Sequence, residues 1–309
     1  MKAIVIKTTG NLYTVRCDNG DTINCMLKGK YRTKGLQSSN PVAIGDMVTV
    51  EYSGNIGYII DIDDRKNYLI RKPSNWSKQV HIIAANIDQC FLICTIKNPE
   101  TTLEFIDRFL VSAQTFRIPV IIVFNKYDLY NEYDLDTLKQ YTKIYSDINY
   151  KVINTSINNS NSINEVANLM QNKISLISGN SGVGKSTIIN KLASKEITKT
   201  ASISQYHNTG MHTTSYSEMY ELPNKSYVID TPGLKAFGVI NIAKSELYHY
   251  FPEIFNYAVD CKFYNCLHTN EPDCNVKKAV ESGYISLSRY NTYLKLFFDE
   301  NEKYRQKIK

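Results

Sequence analysis

Gly179-Asn180-Ser181-Gly182-Val183-Gly184-Lys185-Ser186 fits the pattern G-x-x-x-x-G-K-[ST]. The apolar run Ile174-Ser175-Leu176-Ile177-Ser178 precedes it. Thr187-Ile188-Ile189-Asn190-Lys191-Leu192-Ala193 follows, with an apolar stripe at helical spacing. Strand, glycine-rich turn and helix, in that order, are what a phosphate-binding loop requires. Glycines let successive backbone N–H groups turn inward around a β-phosphate. Lys185 is then placed to reach β- and γ-phosphates, and the Ser186 hydroxyl to ligate Mg²⁺.

Working outward, residues 70 to 235 alternate apolar runs with amphipathic segments. Ala84 to Cys94 ends in a continuous apolar run, and Pro119-Val120-Ile121-Ile122-Val123-Phe124 is a second. Thr102 to Phe116 carries Leu103, Ile106, Leu110, Ala113 and Phe116 at helical spacing. Helical segments over 134–145 and 163–170 and a strand over 150–153 continue the series. Such repetition predicts a mostly parallel α/β sheet with helices on both faces.

The second run ends in Asn125-Lys126-Tyr127-Asp128, an N-K-x-D sequence. The Asp128 carboxylate can accept from the N1–H and 2-amino group of guanine. Adenine offers neither donor there, so ATP would leave the charge unpaired. Asn125 can bridge base and loop backbone, and the Lys126 stem can cover the base plane. Thr155-Ser156 stands where a short loop meets guanine O6. Downstream, Ser226-Tyr227-Val228-Ile229 reads as a strand ending in Asp230-Thr231-Pro232-Gly233. There Asp230 would hold Mg²⁺ through water, and the Gly233 N–H would sense a γ-phosphate. Between the two motifs lies Gly210-Met211-His212-Thr213-Thr214-Ser215, where Thr213 or Thr214 is the candidate Mg²⁺ ligand; spacing does not choose between them.

All the elements of a GTP site are present in shifted order, with N-K-Y-D ahead of the phosphate loop. A doubly wound sheet tolerates this, because binding loops gather at the carboxyl ends of strands whatever their chain order. Leu234 follows Gly233, where a water-positioning glutamine often stands, and leucine cannot orient water. His212 is the local candidate for that task, with a solvent-exposed loop histidine as the alternative. Slow turnover, accelerated by a large partner, is the expectation.

The flanks are of other kinds. Residues 1–65 hold five short alternating segments divided by Gly- and Asn-containing turns, including Asp18-Asn19-Gly20-Asp21, as a small OB-fold barrel would. Within it, Lys28-Gly29-Lys30-Tyr31-Arg32-Thr33-Lys34 has the alternating basic character of an RNA-phosphate loop, or of a charged solubilising one. Near the C-terminus Cys261, Cys266, His268 and Cys274 form C-x₄-C-x-H-x₅-C, a donor set suited to one structural Zn²⁺. Segments over 245–250, 276–281 and 285–308 read as helical. The 309 residues carry 43% hydrophobic and 21% charged side chains and a formal charge of +6. Those values suit a globular protein of two or three domains, mildly basic and without an apolar stretch of membrane-spanning length. A cytoplasmic monomer is the expectation.

With these motifs in place, the chain resembles the circularly permuted GTPases of small-ribosomal-subunit biogenesis, the RsgA type, over essentially its whole length. Met211 and Ser215 depart from the family's frequent basic residue and third threonine. The resemblance implies an OB-fold barrel (1–65), a permuted GTPase domain (66–235) and a helical zinc-binding domain (236–309). It also implies docking on the small subunit, rRNA contact through barrel and zinc domain, stimulation by the subunit, and release on hydrolysis. Rival readings are an RNA-binding module that only senses guanine nucleotide, and a P-loop ATPase or kinase, which Asp128 opposes.

Overall fold

The computed structural model describes residues 1–28, 41–53, 56–71, 81–194, 218–230 and 242–299. Lys30, Arg32, Lys34, His212, Thr213, Thr214 and Gly233 lie outside them, as do Leu234 and the end of the expected C-terminal helix.

The N-terminal strands β1 (Lys2–Thr9), β2 (Leu12–Cys17), β3 (Thr22–Leu27), β4 (Met47–Ser53) and β5 (Ile56–Ile62) pair in the order β1-β2-β3-β5-β4. β4 also pairs with β1, closing a barrel of the OB type, with β3 and β5 parallel and the other pairs antiparallel. Alternation explains its filling: Tyr13, Val15 and Cys17 point inward beside Val48, Val50 and Ile59. β1 is buried on both faces. Ala3 and Val5 enter the barrel, while Ile4 and Ile6 pack into the core of the next unit.

The next strands are β6 (Tyr68–Arg71), β7 (His81–Ala85), β8 (Gln89–Cys94), β9 (Val120–Asn125), β10 (Lys151–Thr155), β11 (Ile174–Ser178), β12 (Glu218–Leu222) and β13 (Ser226–Asp230). Six of them run in the order β10-β9-β8-β11-β13-β12, all parallel except β12. The continuous apolar runs follow from burial on both sides. Cys90, Leu92 and Cys94 face one core with α1 (Leu103–Thr115) and α2 (Glu132–Ser146). Phe91 and Ile93 face the other, with α3 (Ser160–Met170) and α4 (Lys185–Leu192). Thr102, Asn131 and Asn159 cap the first three helices, and Asn131 forms a capping box with Asp134. The run starting at Ala84 is broken by Asn86 in left-handed conformation, so Ala84 and Ala85 belong to β7 and pair back on β6. β12 joins the barrel through the pair Lys7↔Glu218, so among the described residues eleven strands form one sheet.

The C-terminal unit contains a 3₁₀ helix (Lys244–Tyr250) and the helices α5 (Pro252–Ala258), α6 (Asn275–Glu281) and α7 (Leu287–Phe298) around a core of their own. The first segment, helical by its sequence pattern, is of the 3₁₀ type.

A buried ionic cluster fastens this unit to the sheet domain. Arg289 on α7 is 1% exposed; it donates to Glu253 on α5 at 2.7 and 3.2 Å and to Asp107 on α1 at 3.0 Å. Asp107 also accepts from Thr292 and from the hydroxyl of Tyr145, each at 2.8 Å. The guanidinium lies over the Phe251 ring, 4.7 Å from its centroid. Every acceptor in the cluster is satisfied, which is the condition for burying charge without a large penalty. Arg289→Leu strands two carboxylates in the interior and is expected to cost about 3–5 kcal/mol. The check is the denaturant midpoint; a loss below about 1 kcal/mol would make the cluster incidental.

Candidate guanine-nucleotide and metal sites

The parallel strands deliver their motifs to one edge of the sheet. Asn125 ends β9, Thr155 ends β10, Ser178 ends β11 and Asp230 ends β13. Sequence separation disappears there. Residue 125 and the phosphate loop, more than fifty positions apart, are in hydrogen-bonding contact.

Two glycines make the phosphate loop sterically feasible. Gly179 has φ +142° and a Cβ on it would overlap the Ile93 carbonyl oxygen. Gly184 has φ +101° at the N-cap of α4, where a Cβ would overlap the Asn125 amide. Lys185 opens α4 and donates to the carbonyls of Gly179 at 2.9 Å and Asn180 at 2.7 Å, so the ammonium already spans the loop. Burial lowers its pKa, and the opposing charge of Asp230 offsets part of that. Ser181 and Gly182 are exposed at the crest, Val183 is buried in the core, and Ser186 and Thr187 are half-buried on the first turn. The loop runs straight into the first turn of α4, and a helix N-terminus favours an anion.

Asn125 ties the motifs together. Its Nδ2 donates to the Val183 carbonyl at 2.8 Å, and its Oδ1 accepts from the Thr155 hydroxyl at 3.0 Å. Its own carbonyl accepts from the Tyr130 hydroxyl at 2.7 Å, which accepts in turn from the Ile96 N–H at 2.8 Å. Lys126, in left-handed conformation, donates to the carbonyls of Gly182 and Asn98, each at 2.7 Å. Tyr127 accepts from Asn159 Nδ2 at 2.7 Å.

Asp128 follows in a short 3₁₀ turn (Tyr127–Leu129), with its carboxylate exposed. The Ser156 hydroxyl, then Asn158 and a backbone N–H, hold its pKa below the usual carboxylate range. It is therefore ionised at any working pH and available as an acceptor. Ser156 is itself fixed, donating through its N–H to Ser162 Oγ at 3.1 Å.

Tyr130, Asn158, Asn159 and the loop 95–101 were not read as site residues from the sequence. The signal for Asn159 was its place as an N-cap before an apolar helix; Tyr130 and Asn158 gave none.

The Cys/His set also converges. His268 Nδ1 lies 3.6 Å from Cys261 Sγ and 3.5 Å from Cys274 Sγ, and those sulfurs are 3.9 Å apart. Cys266 completes a group whose ligand atoms all lie within 4.8 Å of one another. A tetrahedral ion with metal–sulfur bonds of about 2.3 Å and metal–nitrogen bonds near 2.0 Å needs edges of about 3.8 and 3.5 Å, so the cage fits. Burial first, and then the neighbouring thiols, push the Cys266 thiol up to about 12 and raise Cys274, while burial lowers His268. A dication is the group that reverses this penalty for the thiols. The loop is held from within and from outside. Glu271 accepts the N–H groups of Leu267 and Thr269 at 2.8 and 2.9 Å, while Tyr290 and Tyr293 of α7 donate to the carbonyls of His268 and Leu267.

A phosphate loop, a guanine-type N-K-x-D and a D-x-x-G strand in permuted order on one sheet define a circularly permuted P-loop GTPase. The RsgA GTPase family model matches residues 62–240. The chain is 49% identical over 307 residues to the small ribosomal subunit biogenesis GTPase RsgA of Bacteroides fragilis, covering 99% of each chain. It is 48% identical to the protein of that name from Flavobacterium psychrophilum, over all of this chain and 96% of that one. Among solved structures, YjeQ from Thermotoga maritima superposes with a TM-score of 0.78 at 36% identity, over 96% of this chain and 97% of that one. YloQ, described as a circularly permuted GTPase, gives 0.77 at 27% identity, over 99% and 96%. The chain belongs to the RsgA GTPase family and is a GTPase.

Asn125→Ala removes the bonds to Val183 and Thr155 together. It is expected to weaken guanine-nucleotide binding at least tenfold, about 1.4 kcal/mol. Titration with fluorescent GDP checks it; unchanged affinity would remove Asn125 from the machinery.

Proposed function

We propose that this GTPase is a late maturation factor of the small ribosomal subunit. GTP favours docking, contact with the subunit stimulates hydrolysis, and hydrolysis favours release. The relatives named above are small-subunit biogenesis GTPases at full-length coverage, and that is the main support for the target. The observation that carries the nucleotide reading is the Asp128 carboxylate, held ionised beside a loop that Asn125 and Lys126 bind directly.

On this reading Ser186 and one of Thr213 and Thr214 ligate Mg²⁺, Asp230 acts through water, and the Gly233 N–H senses the γ-phosphate. His212 takes the place of the missing glutamine. The units 1–65, 66–235 and 236–309 act as an rRNA-binding barrel with Lys28, Lys30, Arg32 and Lys34 on its basic loop, a GTPase domain and a zinc-held cap. The protein works as a cytoplasmic monomer. Zn²⁺ is the ion of choice for three sulfurs and one imidazole at these distances.

Hydrolysis of GTP and of ATP, each with and without purified small subunits, tests the proposal. GTP should be preferred and its turnover raised by subunits at least tenfold. Equal use of ATP, or no response to subunits, would sink it. For the metal, elemental analysis should find one zinc per chain, and chelation should lower the melting temperature of the cap. Identical melting after zinc is removed would leave the ion without a structural role.

A further inference from the structure

The base-recognition carboxylate does not stand alone. Asn158 Nδ2 donates to Asp128 Oδ2 at 2.9 Å. The Asn158 backbone N–H donates to Ser156 Oγ at 3.1 Å, and that hydroxyl is the largest influence lowering the Asp128 pKa. One residue therefore serves the carboxylate twice: its side chain holds one oxygen of Asp128, and its backbone N–H fixes the Ser156 hydroxyl that favours the ionised form. The turn carrying it is rigid, since the Asn159 N–H donates to the Ser156 carbonyl at 3.0 Å and Ser162 Oγ bonds both backbone groups of Ser156.

We propose that Asn158 is a positioning residue for guanine specificity, fixing the plane of the Asp128 carboxylate so that it meets two base donors at once. This rests on the reading of Asp128 as the guanine acceptor. A carboxylate offers about four acceptor sites. The Asn158 amide holds Oδ2, and a carboxylate fixed in plane can still accept from the adjacent N1–H and 2-amino N–H of guanine. A two-point contact depends on the orientation of the carboxylate plane; a single contact tolerates rotation. Asp128 is exposed, so without an anchor its side chain would have to be ordered on each binding event, at an entropic cost. Asn158 is exposed as well and belongs to no hydrophobic cluster. Its conservation of fold is therefore not at stake when it is changed.

The test uses inosine nucleotides, which keep N1–H and lack the 2-amino group. Affinities of the full-length protein for GDP and IDP are measured for wild type, Asn158→Leu, Asn158→Ala and Asp128→Asn. Leucine keeps the size of asparagine and removes its donor; alanine is read in its place if the leucine protein is unstable. The GDP:IDP affinity ratio is internally controlled, because both nucleotides need the same fold and the same phosphate loop. In Asn158→Leu the ratio should fall about three- to tenfold, the net worth of one hydrogen bond. It should collapse further in Asp128→Asn. A ratio that is unchanged or higher in Asn158→Leu, with collapse in Asp128→Asn, overturns the role of Asn158 and leaves Asp128 in place. That outcome would mean the asparagine only stands in for the base. A ratio unchanged in both variants overturns the Asp128 reading and the present proposal together.

Discussion

The site depends on one side-chain amide. Asn125 donates to the Val183 carbonyl and accepts from the Thr155 hydroxyl, and Gly184 has no Cβ where the amide passes. In this chain the base-recognition motif precedes the phosphate loop, so no short covalent connection sets their spacing. A buried amide with both ends satisfied does so instead, and it is intolerant of substitution because an orphaned partner would pay the full desolvation penalty. Lys126, bonded to Gly182 and Asn98, adds a second strut between the same loops.

The same logic attaches the cap. Arg289 reaches 182 residues back along the chain to Asp107, and Tyr145 and Thr292 donate to the same carboxylate. α7 is thus shared between two tasks. On one side its Arg289 and Thr292 bind α1; on the other its Tyr290 and Tyr293 donate to the backbone of the candidate metal loop. The candidate metal cage and the domain junction rest on one twelve-residue helix.

The parts legible in sequence are those that chemistry forces into a pattern. Burial on both faces of the sheet made β8 and β9 continuous apolar runs, alternate residues of which serve different cores. Phosphate and guanine contacts demand glycines and a carboxylate at fixed offsets, and four metal ligands on one loop demand close spacing. What was not legible is long-range polar pairing. Nothing near Asp107, Glu253 or Arg289 distinguishes them from solvated charges on amphipathic helices, because each partner lies on a different element. The β6–β7 hairpin was hidden for another reason. Its second strand runs almost directly into β8, and only the left-handed turn at Asn86 separates them.

These attachments place both outer units one element away from the nucleotide edge. The loop 95–101 touches Lys126 through the Asn98 carbonyl and then enters α1, which carries Asp107. On the other side β12 lies between the Gly210–Ser215 segment and the Asp230–Gly233 segment in the chain, and it is the strand that pairs with β1 of the barrel. A Lys7–Glu218 ion pair of 3.1 Å reinforces that seam, but both side chains stay in partial contact with solvent, so it contributes little beyond register. The barrel side holds more than that strand pairing: Ile4, Ile6 and Ile44 enter the core of the sheet domain, the Asn86 amide donates to the Gly45 carbonyl at 2.9 Å, and Arg16 pairs with Glu221 at 2.9 Å. Both junctions therefore combine buried apolar contact with satisfied polar groups, and they differ in charge: a buried guanidinium between two carboxylates on the cap side, main-chain and apolar contact on the barrel side.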